Sequence, residues 1–156
     1  MTSKNLQDKT AIVTGGAQGL GQAISQRLAR EGCRVLIADV NEMGVNATAA
    51  AIAKETGQRV LGMKVDVTHE ANVKALFDRT VQEFGRVDIV VANAAILIAE
   101  PIADADAEKW RAVMNVNLFG YFLVTKYACR VMKGQGSGAI ININSKSGKK
   151  IGRAHV

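Results

Sequence analysis

One proline, two cysteines, two histidines and one tryptophan stand in this sequence, and aromatic residues make up 4% of it. Each scarcity excludes something. His69 and His155 are far apart and have no cysteine near them at ligand spacing, so no metal site is expected. Cys33 and Cys129 form no C-x-x-C pair and no disulfide framework. They are expected to be reduced core or near-core residues of a cytoplasmic protein. No apolar run approaches the roughly 20 residues of a membrane span. The opening MTSKNLQDKT has no apolar h-region, so no signal peptide is expected. Acids are missing altogether from residues 109–156, which carry nine Lys and Arg, whereas all 14 acids lie in residues 1–108. Such a basic third raises the question of nucleic acid. Neither aromatic interleaving nor a recognition-helix pattern accompanies the charge, so no nucleic-acid partner is expected.

What is there is ordered. The 156 residues, 48% hydrophobic and 22% charged, suffice for one domain with a real core. Short apolar runs alternate with helical periods throughout. TAIVT (10–14) reads as a buried strand. LGQAISQRLAREG (20–32) reads as a helix with Ala23, Ile24 and Leu28 on one face and Gly32 as its stop. RVLIAD (34–39) is a second strand. Asn41 is placed to cap a helix that turns Val45, Ala49, Ile52 and Ala53 inward and stops at Gly57. RVLGMKVD (59–66) is a third strand. Thr68 is placed to cap a helix with Val73, Leu76, Phe77, Val81 and Phe84 on one face, ending at Gly85. DIVVAN (88–93) is a fourth strand. A looser stretch holds Pro101, a long helix follows over roughly 106–133, with Trp110 packing at its start, and GAIININS (138–145) is a fifth strand. Continuously apolar strands, each followed by a helix, predict an α/β fold. It is a doubly wound (Rossmann) parallel sheet with helices on both faces and strand order 3-2-1-4-5.

VTGGAQGLGQ (13–22) joins the first strand to the first helix. It is not a P-loop, because no Gly-Lys-Ser/Thr closes it, and it misses the G-x-G-x-x-G spacing. From Thr14 and Gly15 through Gly19 and Gly21 it reads T-G-x-x-x-G-x-G. In a doubly wound sheet ligands sit beyond the carboxyl ends of the strands, and a helix N-terminus there favours an anion. Gly15 would permit the tight turn, Gly19 the approach of a pyrophosphate, with Gln18 and Leu20 beside it, and Gly21 close packing. A glycine turn without a ligand is the plainer alternative. Asp39 shifts the balance. It ends the second strand, where a carboxylate accepts from the ribose hydroxyls of an adenosine and repels a 2′-phosphate. Neither Val40 nor Asn41 is basic, so NAD is expected rather than NADP.

These motifs resemble the N-terminal part of the short-chain dehydrogenase/reductase family rather than its extended, epimerase-like branch. Thr14, Gly15, Gly19 and Gly21 match the family's cofactor loop. Asp66 and Val67 match its Asp-Val after the third strand, against the adenine. ANAAI keeps Asn93 and Ala94 of the family's Asn-Asn-Ala-Gly, with Ala92 and Ala95 in place of the first Asn and the Gly. MNVNLFGYF matches the helix whose Asn joins the catalytic tetrad, here Asn117. GAIININS matches the strand that ends in the catalytic serine, here Ser145.

The resemblance implies hydride transfer between an alcohol and NAD. Ser145 would bond the substrate oxygen, and Asn117 would hold a water of the proton relay. The family's base is a Tyr in Y-x-x-x-K, expected near position 158. Tyr121 is followed at the fourth position by Thr125 and Tyr127 by Val131, so neither supplies it. Residues 1–156 are accordingly expected to form one NAD-binding Rossmann domain, incomplete after the fifth strand and inactive alone. The alternatives are a non-catalytic dinucleotide-binding fragment and an interaction protein using the incomplete sheet. INSKSGKK (143–150) further resembles the serine segment of bacterial polyol dehydrogenases of the sorbitol-6-phosphate type. Lys146, Lys149 and Lys150 would then meet a phosphate on a polyol substrate, unless they are simply solvated. Family resemblance also implies a homo-oligomer, dimer or tetramer, paired through the long helix.

Overall fold

The computed structural model describes residues 6–144, so Ser145, Lys146, Lys149, Lys150 and His155 lie outside the described residues. Five strands run parallel in the order β3-β2-β1-β4-β5: β1 (Thr10–Thr14), β2 (Arg34–Asp39), β3 (Val60–Lys64), β4 (Ile89–Ala92) and β5 (Ala139–Asn142). The helices α1 (Gly19–Arg30), α2 (Glu42–Thr56), α3 (Glu70–Phe84), α4 (Ala107–Met114) and α5 (Tyr121–Gln135) fill the crossovers. This is the expected doubly wound sheet.

Alternation along the strands sorts the core into two layers. Ile12, Leu36, Ala38, Val90 and Ala92 pack with Leu76 and Phe77 of α3 and Leu123 and Val124 of α5. Ala11, Val13, Val35 and Ile37 pack on the other face with Ala29, Val45, Ala49 and Ile52. Phe77 is 1% exposed, a position where truncation to alanine costs about 3–5 kcal/mol. Three helices end on left-handed glycines, Gly57 (φ 69°), Gly85 (φ 81°) and Gly136 (φ 72°), the first two as their sequence positions predict. Asn41 caps α2 by accepting the Gly44 N–H at 3.0 Å.

Five expectations are corrected. His69, not Thr68, is the N-cap residue of α3, because the Thr68 hydroxyl donates to Asp66 Oδ1 at 2.7 Å. Val81 is 38% exposed, since the buried face of α3 runs through Val73, Phe77, Thr80 and Phe84 and passes it by. Trp110 and Cys129 are exposed rather than packed. The long helix is not one α-helix: a π-helical segment, Asn115–Gly120, interrupts it between α4 and α5.

Candidate functional site

The carboxyl ends of β1, β2 and β4 open onto a cleft of about 540 Å³. Its floor is the loop between β1 and α1. Gly19 is at φ 57°, and a Cβ added to it would meet nothing within 4 Å, so its backbone faces open space. At Gly21 a Cβ would stand 2.1 Å from the Gly15 carbonyl oxygen, so the helix can approach the loop only without a side chain there. A Cβ on Gly15, at φ 65°, would lie 2.7 Å from Ala94 Cα. Gly16, outside the fixed positions of T-G-x-x-x-G-x-G, is also constrained: a Cβ there would lie 2.2 Å from Ile37 Cγ2. The second glycine of the GG pair was the available signal.

No side chain caps α1, and no acid stands in its first turn. By contrast Asn41 caps α2 and Asp106 caps α4. The first-turn N–H groups of α1 therefore keep the positive helix end turned to the cleft, where an anion is favoured.

Asp39 stands at the cleft wall and binds two backbone segments. Its Oδ2 accepts the Ala17 N–H at 3.0 Å, and its Oδ1 accepts the Asn41 N–H at 3.0 Å. Each oxygen retains acceptor capacity. The same carboxylate thus holds the glycine loop and presents negative charge beside it. Leu20 and Val40, 58% and 61% exposed, flank this end of the cleft.

Asp66 and Val67, after β3, form the opposite wall. Burial pushes the Asp66 carboxyl up, but the Thr68 hydroxyl and N–H and the neighbouring His69 more than offset it and hold it below the usual carboxylate range. His69 Nδ1 lies 3.1 Å from Asp66 Oδ2. Val67 also receives the π-helical segment, for a Cβ on Gly120 would lie 2.8 Å from Val67 Cγ2.

Asn93 closes the cleft from β4. Its amide nitrogen donates to the carbonyls of Thr14 (3.0 Å) and Gly15 (3.1 Å). Thr14 Oγ1 in turn accepts the N–H groups of Asn93 (3.0 Å) and Ala94 (3.1 Å). Thr14 is 1% exposed and does not line the cleft; it fixes the β4 end against the β1 end. Every other residue singled out for the cofactor lies on the wall: Gly15, Gln18, Gly19, Leu20, Gly21, Asp39, Val40, Asp66, Val67, Asn93, Ala94 and Ala95. Val65, Thr68, Ile96 and Val116 line it as well and were not singled out. Ile96 and Val116 lie within the matched segments ANAAI and MNVNLFGYF, and Val65 and Thr68 flank Asp66 and Val67.

A second cavity of about 400 Å³ shares Asn93, Ala95 and Ile96 with the first and extends past Asn117 and Tyr121 to Ile143 and Asn144. Asn117 lies within the π-helical segment. Its Oδ1 accepts the Ile96 N–H and its Nδ2 donates to the Ile96 carbonyl, both at 2.9 Å. This two-point clamp ties the helix to the loop after β4. Tyr121 donates its hydroxyl to the Ile143 carbonyl at 2.7 Å, and burial raises its pKa. Among the described residues its lining reaches Asn144, one residue before Ser145 in the chain.

The sequence profile of the short chain dehydrogenase family matches residues 9–156. The chain is 42% identical over 149 residues to cis-4-hydroxycyclohexanecarboxylate dehydrogenase of Sinomonas cyclohexanicum, covering 95% of this chain and 59% of that protein. It is 41% identical over 150 residues to 3beta-hydroxysteroid dehydrogenase 2 of Eggerthella lenta, covering 95% of this chain and 57% of that one. Among solved structures, a short-chain type dehydrogenase/reductase from Mycobacterium marinum is similar with a TM-score of 0.91 at 31% identity. The match covers 97% of this chain and 61% of that one. The chain thus spans about three fifths of the length of these relatives.

Proposed function

This chain belongs to the short-chain dehydrogenase family, and on that premise we propose that it is the cofactor-binding part of an NAD-dependent oxidoreductase acting between a secondary alcohol and its carbonyl. The observation that carries the reading is the Asp39 carboxylate, held beside the uncapped N-terminus of α1 in one cleft. A dinucleotide fits these residues. The pyrophosphate would lie against Gln18, Gly19 and Leu20, where no Cβ of Gly19 intrudes. Asp39 would accept from the adenosine ribose, Val40 and Val67 would flank the adenine with Asp66 at its edge, and Asn93, Ala94 and Ala95 would face the nicotinamide half. When bound, NAD supplies the hydride acceptor. Asn117 keeps the Ile96 backbone in place beside it, and Ser145 would orient the substrate oxygen.

The 156 residues contain no Y-x-x-x-K pair, and a positioned general base is worth about 10²–10⁴-fold. This polypeptide alone is therefore expected to bind cofactor and turn nothing over. Both relatives' names denote dehydrogenases of hydroxyl-bearing rings. A sugar-alcohol substrate, such as sorbitol 6-phosphate, is the second reading. It is favoured by Lys146, Lys149 and Lys150 following Ser145 in the sequence. A homo-oligomeric, cytoplasmic protein completes the proposal; no described helix is long and apolar enough to cross a membrane.

Calorimetric titration with NAD and NADP tests the cofactor reading. NAD is expected to bind at least about tenfold more tightly, a gap of about 1.4 kcal/mol. Asp39→Ala should narrow that gap by weakening NAD more than NADP. Equal or tighter NADP binding to the unmodified chain contradicts the reading.

A further inference from the structure

Besides filling the crossover between β2 and β3, α2 holds the glycine loop at Ala17. Thr48, on α2, is 5% exposed, and its hydroxyl donates to the Ala17 carbonyl at 2.8 Å. Gly44, one turn earlier, faces the same residue, for a Cβ there would lie 3.2 Å from Ala17 Cβ. The Ala17 N–H is in turn the group that Asp39 Oδ2 accepts at 3.0 Å. One small residue outside the cleft lining thus joins α2 to the carboxylate on the cleft wall. We infer that Thr48 is a positioning residue for the cofactor: through Ala17 it keeps Asp39 where it receives an adenosine ribose and turns away a 2′-phosphate. The inference rests on the NAD reading above.

Asp39 has little freedom while this contact stands. With Oδ2 on the Ala17 N–H and Oδ1 on the Asn41 N–H, a carboxylate swung aside for a 2′-phosphate would leave two donors without it. Asn41 is fixed independently, because it caps α2 by accepting the Gly44 N–H. Ala17 has no such anchor of its own. It lies in a loop and carries only a methyl, so its place depends on what its peptide groups bond.

Those bonds all run to the second strand or to α2. The Gly16 N–H donates to the Ala38 carbonyl at 3.2 Å, the Ala17 N–H goes to Asp39, and the Ala17 carbonyl goes to Thr48. The peptides here are trans, and a trans peptide turns its N–H opposite to its C=O. The Thr48 bond therefore also sets the direction of the Gln18 N–H, which belongs to the cleft-lining residue beside Gly19. Thr48 stands 31 residues from Ala17 and outside every motif of the glycine loop.

The test is calorimetric titration of NAD and NADP into the unmodified chain and into Thr48→Val, Thr48→Ala and Thr48→Ser. Amide hydrogen exchange at Ala17 is followed without cofactor, and melting temperatures are recorded. Losing one buried hydrogen bond, Thr48→Val should weaken NAD about tenfold and NADP less, narrowing the gap between them at least about threefold. Thr48→Ala, which cannot overpack the site, should do the same, and both should speed exchange at Ala17. Thr48→Ser keeps the hydroxyl and should restore both the NAD to NADP ratio and the slow exchange. A Thr48 that serves stability alone would lower the melting temperature and weaken both cofactors by one factor. That result, an unchanged ratio in the folded variants, or failure of both Val and Ala variants to fold would overturn the inference and leave the NAD reading in place. An unmodified chain that binds NADP as tightly as NAD, or binds neither, overturns the NAD reading itself and the role of Thr48 with it.

Discussion

Asp88 shows how one side chain outside the site carries a testable share of stability. It is 7% exposed at the start of the fourth strand region. Its Oδ2 accepts the Thr10 N–H at 2.9 Å, Arg86 Nε donates to both oxygens at 3.0 Å, and Lys9 Nζ is 3.6 Å from Oδ1. Burial pushes this carboxyl up, yet the Thr10 N–H and the Arg86 and Lys9 charges outweigh it, so the folded-state value lies below the ordinary one. A carboxylate with a depressed folded value stabilises fully above its unfolded value of about 4 and loses that contribution as pH falls through the folded value. Asp88→Asn should therefore destabilise the chain at pH 7 by about 1–3 kcal/mol. In urea titrations the difference from the unmodified chain should shrink below about pH 4. A difference that stays constant down to low pH would contradict this assignment. The site residues were legible in the same local way. Asp39 and the glycines are read from their position directly after a strand, although the groups they meet, Ala17, Ala94 and Ile37, are distant in sequence.

At the scale of elements, the sequence conveys runs and periods but not which partner a polar side chain takes. The strands, their order and the glycine stops follow from runs and periods a few residues long. The cap of α3 did not, because Thr68 is drawn to Asp66 rather than to its own helix. The π-helical break did not either, for the Ile96 backbone that engages Asn117 lies 21 residues away in a loop without periodicity. Periodicity also cannot say what covers a face. Trp110, Met114, Leu118 and Phe122 recur every fourth residue, and they are 53%, 41%, 60% and 56% exposed. With Phe119, which stacks on Phe122, they line a concavity of about 630 Å³ on the outer side of α4 and α5. The proposed homo-oligomer would cover this stripe, since apolar patches of this kind mark contact surfaces. Leu118→Glu should shift the chain from an associated species to monomer in sedimentation velocity. A monomeric unmodified chain at the same concentration would count against the contact.

For the whole molecule, the doubly wound sheet explains why distant residues meet. Thr14, Asp39 and Asn93 sit at the carboxyl ends of neighbouring parallel strands, and the loops leaving those ends must share one rim. Charge is arranged on the same scale, with the acids in the first 108 residues, which contain Asp39 and Asp66, and the last 48 holding nine Lys and Arg and no acid. The rim between Gly15 and Ile96 is proposed above as a dinucleotide site. Its most direct test is an amide NMR titration of the chain with NAD. The account predicts saturable shifts at Gly15–Gly21, Asp39, Val40, Asp66, Val67 and Asn93–Ile96, with the α4–α5 stripe from Trp110 to Phe122 unmoved apart from residues at the cleft. Shifts confined to that stripe, or none at saturating NAD, would contradict it.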